Sequence, residues 1–75
     1  MSKSRLIWRC RRGMLELDLL LQDFLHQRYD RLSLPDQQTF EELLTHSDQQ
    51  LLDWLMGKTL PEEAVLAEMV DKIRH

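Results

Sequence analysis

Apolar residues recur at helical spacing along most of this 75-residue chain. In residues 14–29 they follow the i, i+3, i+4, i+7, i+8 pattern of one helix face: Leu17, Leu20, Leu21, Phe24 and Leu25. This pattern predicts the longest helix of the chain. Three further apolar residues lie outside that face: Met14, Leu15 and Leu19. They indicate that the helix contacts more than one neighbour and holds a central position.

A shorter helix precedes the long one. Residues 4–10 place Leu6, Ile7 and Cys10 on one side, with Ser4 available as the N-cap. The first glycine follows, and glycine after basic residues is typical of a helix C-terminus. We therefore predict a turn at Arg12-Gly13.

Three more helices are predicted from their start signals. Ser33-Leu34-Pro35-Asp36 is typical of an N-cap with an acidic residue three positions later, and Ser47-Asp48-Gln49-Gln50 of a capping box. Thr59-Leu60-Pro61-Glu62 is a third signal of this kind, and Gly57 stands where the fourth helix should end. Apolar residues at helical spacing follow the three signals: Phe40, Leu43 and Leu44; Leu51, Leu52 and Leu55; Leu66, Met69, Val70 and Ile73.

The predicted fold is all-α, a compact single-domain bundle of five short helices over residues 1–75. Two glycines and two prolines disfavour a sandwich or a barrel, since both need many turns. Loops of two to five residues would make consecutive helices pack as neighbours, largely antiparallel.

Composition limits how so small a bundle can be stabilised. The single cysteine excludes an internal disulfide, and the three histidines are too far apart to show the spacing of a zinc site. Helix packing, with or without a partner, must then supply the stability.

The net charge of −3 is unevenly distributed. The first thirteen residues carry five basic side chains and no acid, so the remainder has a net charge of −8. An acidic body argues against binding to duplex nucleic acid, because it would repel the phosphate backbone. The basic segment could contact an acidic protein surface, or its side chains could simply be solvated at a helix end.

No apolar run approaches the roughly 18–20 residues of a membrane span, and the N-terminus lacks the apolar segment of a secretory signal. We expect no membrane insertion. The unpaired thiol fits a reducing compartment, so we expect a cytoplasmic protein.

The sequence gives little support for a catalytic site or a cofactor site. Cys10 shares the apolar face of the first helix and is expected to be buried, and His26 and His46 have no partner four residues away. Two glycines, at positions 13 and 57, cannot form the phosphate-binding motifs G-x-G-x-x-G or G-x-x-x-x-G-K. Phe24, Phe40 and Trp54 are assigned to the core, whereas Trp8 and Tyr29 are either core residues or interface anchors. We predict that the protein is not an enzyme and has no cofactor of its own.

One segment remains, the corner at Arg11-Arg12-Gly13-Met14-Leu15-Glu16. A glycine permits close approach by another surface, and it is flanked by arginines, a methionine and a carboxylate. This segment is either an ordinary helix-helix corner or an interaction site.

The same residues resemble a known family. Arg12-Gly13-Met14-Leu15-Glu16 matches the R-G-M-x-E signature of the succinate dehydrogenase flavinylation assembly factors of bacteria and mitochondria. Further similarities extend over roughly residues 6–73: Trp8, Cys10-Arg11, Glu16-Leu17-Asp18, Phe24, Tyr29-Asp30, Leu32, Phe40, Leu43-Leu44 and Trp54-Leu55-Met56.

The resemblance implies a five-helix assembly factor that binds the flavoprotein subunit of succinate dehydrogenase, and in bacteria also that of fumarate reductase. It implies promotion of covalent FAD attachment to a client histidine, with FAD belonging to the client. The factor would act by favouring a client conformation in which histidine and flavin are aligned, and we expect a monomer when it is free.

The resemblance also implies site residues. The client-binding patch would consist of Arg12, Gly13, Met14 and Glu16, with Glu16 and the arginines pairing with client polar groups and Met14 supplying apolar area. The edge of this patch would include Trp8, Arg11, Asp18, Tyr29 and Asp30.

A second hypothesis is a generic helical interaction module, such as an adaptor or toxin-neutralising partner, that uses the same corner. A third is a small nucleic-acid binder acting through the basic segment, whose affinity would fall steeply with salt.

Overall fold

The computed structural model describes residues 3–75, which form five α-helices and one short 3₁₀ turn. The helices are α1 (Lys3–Arg9), α2 (Leu15–Gln27), α3 (Leu34–Leu43), α4 (Asp48–Leu55) and α5 (Ala64–Arg74), with the 3₁₀ turn at Tyr29–Arg31. The predicted all-α class and the number of helices are confirmed over this part of the chain.

The core is built from the predicted apolar stripes. Helix α2 packs against α1, α4, α5 and the 3₁₀ turn, and α5 packs against α2, α3 and α4. Two aromatic contacts join the elements, with ring centroids 5.3 Å apart for Phe24 and Phe40 and 5.6 Å apart for Tyr29 and Phe40. The buried apolar side chains are Leu6, Cys10, Leu17, Leu21, Phe24, Leu25, Tyr29, Phe40, Leu43, Leu44, Leu51, Trp54, Leu55, Leu66, Met69, Val70 and Ile73.

Two of the predicted helix starts are confirmed. The Ser33 hydroxyl accepts a hydrogen bond from the Asp36 N–H at 3.3 Å and caps α3. At α4 the Ser47 hydroxyl accepts from the Gln50 N–H, and the Gln50 side chain accepts from the Ser47 N–H, which is the reciprocal pair of a capping box.

The third predicted helix start, at Thr59, is wrong, and the way in which α4 ends explains why. Gly57 has φ +81°, and the Lys58 N–H donates to Asp53 O at 2.8 Å, which closes the helix in a Schellman motif. The Thr59 N–H also donates to Asp53 O, so Thr59 belongs to the end of α4. Helix α5 begins at Ala64, after Glu63, which makes no side-chain cap.

Three other boundaries differ from the prediction. Helix α1 already includes Lys3, so Ser4 lies inside it and is not its N-cap. Helix α2 ends at Gln27, because Arg28 leaves helical geometry with φ −128° and Tyr29 begins the 3₁₀ turn. The loop at residues 56–63 is longer than the two to five residues expected, since it contains both the Schellman turn and the approach to α5.

Ser47, a confirmed N-cap, and Thr59, which caps no helix, give a matched test. We expect Ser47→Ala to lower the free energy of unfolding by about 1 kcal/mol, because the Gln50 N–H loses its acceptor. We expect Thr59→Ala to change it by less than about 0.5 kcal/mol, since Thr59 caps no helix. Urea unfolding followed by circular dichroism measures both, and equal losses would contradict the assignment.

Candidate functional site

The corner between α1 and α2 turns on a glycine whose backbone conformation suits no other residue well. Gly13 has φ +82°, in the left-handed region that costs an L-residue roughly 1–2 kcal/mol. A Cβ atom placed on Gly13 would have no neighbouring atom within 4 Å. The space above this glycine is therefore open, and another backbone could approach it closely.

Asp18 closes the corner from the first turn of α2. Its carboxylate accepts hydrogen bonds from the Arg12 N–H at 2.7 Å and from the Gly13 N–H at 3.2 Å. Met14, the N-cap residue of α2, provides no side-chain cap, so Asp18 reaches back to bind the free N–H groups before the helix. A carboxylate is also favoured there by the positive end of the helix dipole.

The Arg12 side chain turns inward from the corner. Its Nη2 donates to Leu44 O at 3.0 Å and to His46 O at 2.6 Å, and its Nη1 donates to Arg9 O at 3.2 Å. Its Nε lies 2.9 Å from Asp48 Oδ1, an ion pair without the geometry of a hydrogen bond.

These contacts connect three helices. Arg9 ends α1, Leu44 is the C-cap of α3, and Asp48 is the first residue of α4. Carbonyl groups at helix C-termini lack partners within the helix and carry partial negative charge, so a guanidinium satisfies them well. The Arg12 side chain is only 15% exposed, so its guanidinium is largely occupied within the chain.

Four of the predicted site residues, Gly13 among them, are exposed to solvent at the corner or near it. Gly13 itself and Glu16 are exposed, and Glu16 has no hydrogen bond or ion pair to any of residues 3–75. Trp8 is 69% exposed, and the Arg11 guanidinium lies 5.1 Å from the centre of its ring, a cation–π contact. Trp8 is thus a surface residue.

Three other predicted site residues are wholly or partly buried or are paired within the chain. Met14 is half-buried and packs against the core, so it offers little free apolar area. Tyr29 is buried against Phe40 in the core, so it offers little surface to a partner. Asp30 is exposed but forms an ion pair with Lys3 at 2.8 Å, at the end of α1 away from the corner.

The sequence analysis missed two exposed apolar residues. Leu15 is 75% exposed and Leu19 is 53% exposed. The predicted central position of α2, with several neighbours, is confirmed, but its contacts are made mainly through its other face. Both leucines lie outside the apolar stripe and one helical turn apart, but this pattern alone does not say which face of α2 the neighbouring helices cover.

The buried cysteine offers no reactive thiolate. Cys10 is fully buried, and burial raises the pKa of its thiol from 9.0 to about 12, although the Arg12 charge acts in the opposite direction. No group of three or more histidine, cysteine, aspartate or glutamate side chains within residues 3–75 could hold a metal ion. The ring of His46 packs edge-on against the ring of Trp54, with ring centroids 5.0 Å apart.

The longest helix in the described part of the chain, α2, has thirteen residues. Among residues 3–75 no helix combines the length and the apolar character needed to cross a bilayer.

Comparisons with known proteins point in one direction. Residues 4–75 match the protein family described as flavinator of succinate dehydrogenase. The FAD assembly factor SdhE of Legionella pneumophila strain Paris is 55% identical over 74 residues, which are 99% of this chain and 92% of that protein. The FAD assembly factors SdhE of Colwellia psychrerythraea and Coxiella burnetii are 51% and 36% identical, and the matches cover 96% and 100% of this chain and 79% and 92% of those proteins.

The two neighbouring arginines of the corner give a matched test of its support. We expect Arg12→Ala to lower the free energy of unfolding by about 2 kcal/mol, since it leaves the carbonyls of two helix ends and Asp48 without their partner. In a domain of this size that loss lowers Tm by about 8–16 °C. We expect Arg11→Ala, which removes only a surface contact with Trp8, to change stability by less than about 0.5 kcal/mol. Calorimetry measures both, and a stable Arg12→Ala protein would contradict the structural role of this side chain.

Proposed function

The chain belongs to the flavinator of succinate dehydrogenase family, and on this premise we propose that it binds the flavoprotein subunit of succinate dehydrogenase and promotes covalent attachment of FAD. The relatives it matches are named FAD assembly factors and not enzymes. We extend the proposal to the flavoprotein subunit of fumarate reductase, as the sequence resemblance implies.

The observation that carries the proposal is the placement of the R-G-M-x-E signature. Its residues form the corner between α1 and α2, where Gly13 and Glu16 are exposed and Arg12 is bonded to the ends of α1 and α3. A corner held in this way is pre-organised, so little conformational entropy is lost when a partner binds it. This arrangement suits binding to a much larger protein.

The proposed mechanism requires no reactive group on this chain. The client supplies the histidine, holds the FAD and contains the bond-forming step. The factor binds more tightly to the client conformation in which the histidine and the flavin are aligned, and a preference of about 1.4 kcal/mol changes that population ratio tenfold.

Each exposed group of the corner has a physical role in the proposal. Gly13 lets the client backbone approach, because the space above it is empty. Glu16 pairs with a basic or N–H group of the client, since it has no partner within residues 3–75.

Arg12 and Asp18 act mainly by holding the backbone of the corner in place. Trp8 and Arg11 lie at its edge and offer an aromatic ring and a charge.

The proposed setting is the cytoplasm, where an unpaired cysteine such as Cys10 stays reduced.

Gly13 provides the decisive variant and its own control. We expect Gly13→Arg to abolish covalent flavin in the client, because its side chain fills the space that the client backbone needs. Gly13→Ala has the same strained φ but a side chain of one carbon, so we expect it to retain at least half of the flavinylation. Both variants should remain folded by circular dichroism.

The measurement is flavin fluorescence of the denatured client subunit from cells that lack their own factor and express each variant. Full covalent flavin with folded Gly13→Arg would overturn the proposal. Equal loss with Gly13→Ala would show that backbone strain, and not docking, causes the defect.

Glu16 should contribute less than Gly13. We expect Glu16→Ala to weaken binding of the purified client subunit about 2–5-fold, the range typical of one ion pair near solvent. Glu68→Ala removes an exposed acid from α5 and should leave the affinity unchanged. Titration calorimetry compares the two variants, and an equal effect of both would remove Glu16 from the proposed site.

A further inference from the structure

An apolar groove adjoins the corner. It is lined by Glu16, Leu19, Leu20 and Met56 and has a volume of about 300 Å³. Three of the four residues come from α2 and the fourth is the C-cap of α4, so the groove lies where these two packed helices meet. It is shallow and opens to solvent.

The lining exposes apolar side chains that the core does not use. Leu19 is 53% exposed and Met56 is 39% exposed, while Leu20 is half-buried and packs against the core. Leu15 lies one turn before Leu19 on α2 and is 75% exposed, which extends the apolar surface toward Gly13. Apolar side chains clustered in this way are characteristic of a binding surface, whereas single exposed ones are common on any protein.

The groove also has a charge at its rim. Glu16 is its one ionisable lining residue, and this carboxylate has no partner within residues 3–75. An apolar floor with one unpaired carboxylate complements a large apolar side chain that stands next to a lysine or arginine. Glu16 belongs to both the corner and the groove, so the two surfaces are continuous.

We propose that this groove is the second half of the client surface and that it receives an apolar side chain of the flavoprotein subunit that is flanked by a basic residue. This inference rests on the proposed function and adds the kind of client segment that is recognised. The corner then supplies close backbone contact, and the groove supplies the apolar area that Met14, packed against the core, does not provide.

A second copy of this chain fits the groove less well. A two-fold contact through the groove would bring two Glu16 carboxylates into one interface, where like charges repel. A basic client segment would neutralise the carboxylate. The charge at the rim therefore favours the flavoprotein over self-association.

Two exposed leucines, one in the groove and one outside it, test the proposal. Leu19→Gln keeps a good helix former on α2 but removes apolar area from the groove, and we expect it to weaken binding of the purified flavoprotein subunit at least tenfold. Leu34→Gln changes a 73% exposed leucine on α3, outside the groove, and should leave the affinity within twofold of the unchanged protein. Titration calorimetry on variants shown to be folded by circular dichroism gives both values.

The outcomes separate the groove from the proposed function. If the unchanged protein binds the client and folded Leu19→Gln binds within twofold of it, the groove is not part of the interface and the proposed function stands. If the unchanged protein does not bind the client at all, the proposed function fails and this inference fails with it. If Leu19→Gln and Leu34→Gln weaken binding equally, the effect is not specific to the groove and the proposal is overturned.

Two further measurements keep the test independent of folding and of self-association. A photo-crosslinking amino acid at position 19 should link to the client subunit, whereas the same group at position 34 should not, and the reverse result would overturn the proposal. Light scattering should show no concentration-dependent dimer that Leu19→Gln removes. Such a dimer would assign the groove to a second copy of the chain instead.

Discussion

The corner depends on one guanidinium. Arg12 binds the carbonyls at the ends of α1 and α3 and pairs with Asp48 at the start of α4. The corner itself has a glycine at positive φ and no side-chain cap on α2. Asp18 holds its backbone locally, and Arg12 connects it to the other helices. A largely buried charge is tolerated because several acceptors share it. Through Arg12, the position of the turn is linked to the packing of the bundle.

This link separates two roles within a single short motif. Arg12 and Met14 face the body of the protein, whereas Gly13 and Glu16 face solvent. The inward residues, with Asp18, hold the backbone, and the outward ones are free to meet a partner. A corner made rigid in this way loses little conformational entropy when it binds a partner.

Helix α2 likewise has one face in the core and one face in solvent. One face, with Leu17, Leu21, Phe24 and Leu25, is buried in the core. The other face carries Leu15 and Leu19 in solvent, next to the corner. The molecule is thus organised to present a surface, which agrees with relatives that are named assembly factors.

The sequence by itself determined what depends on neighbouring residues along the chain. The caps at Ser33 and Ser47, the stop at Gly57 and the apolar stripes were predictable because capping and helical period involve residues only a few positions apart. Only the tertiary structure decided that the side chain of Arg12 points inward, that Tyr29 is buried and that Leu15 and Leu19 are exposed. A helix can carry apolar residues on two faces, and which face is covered depends on which helices pack against it, a matter of long-range contacts that no local pattern encodes.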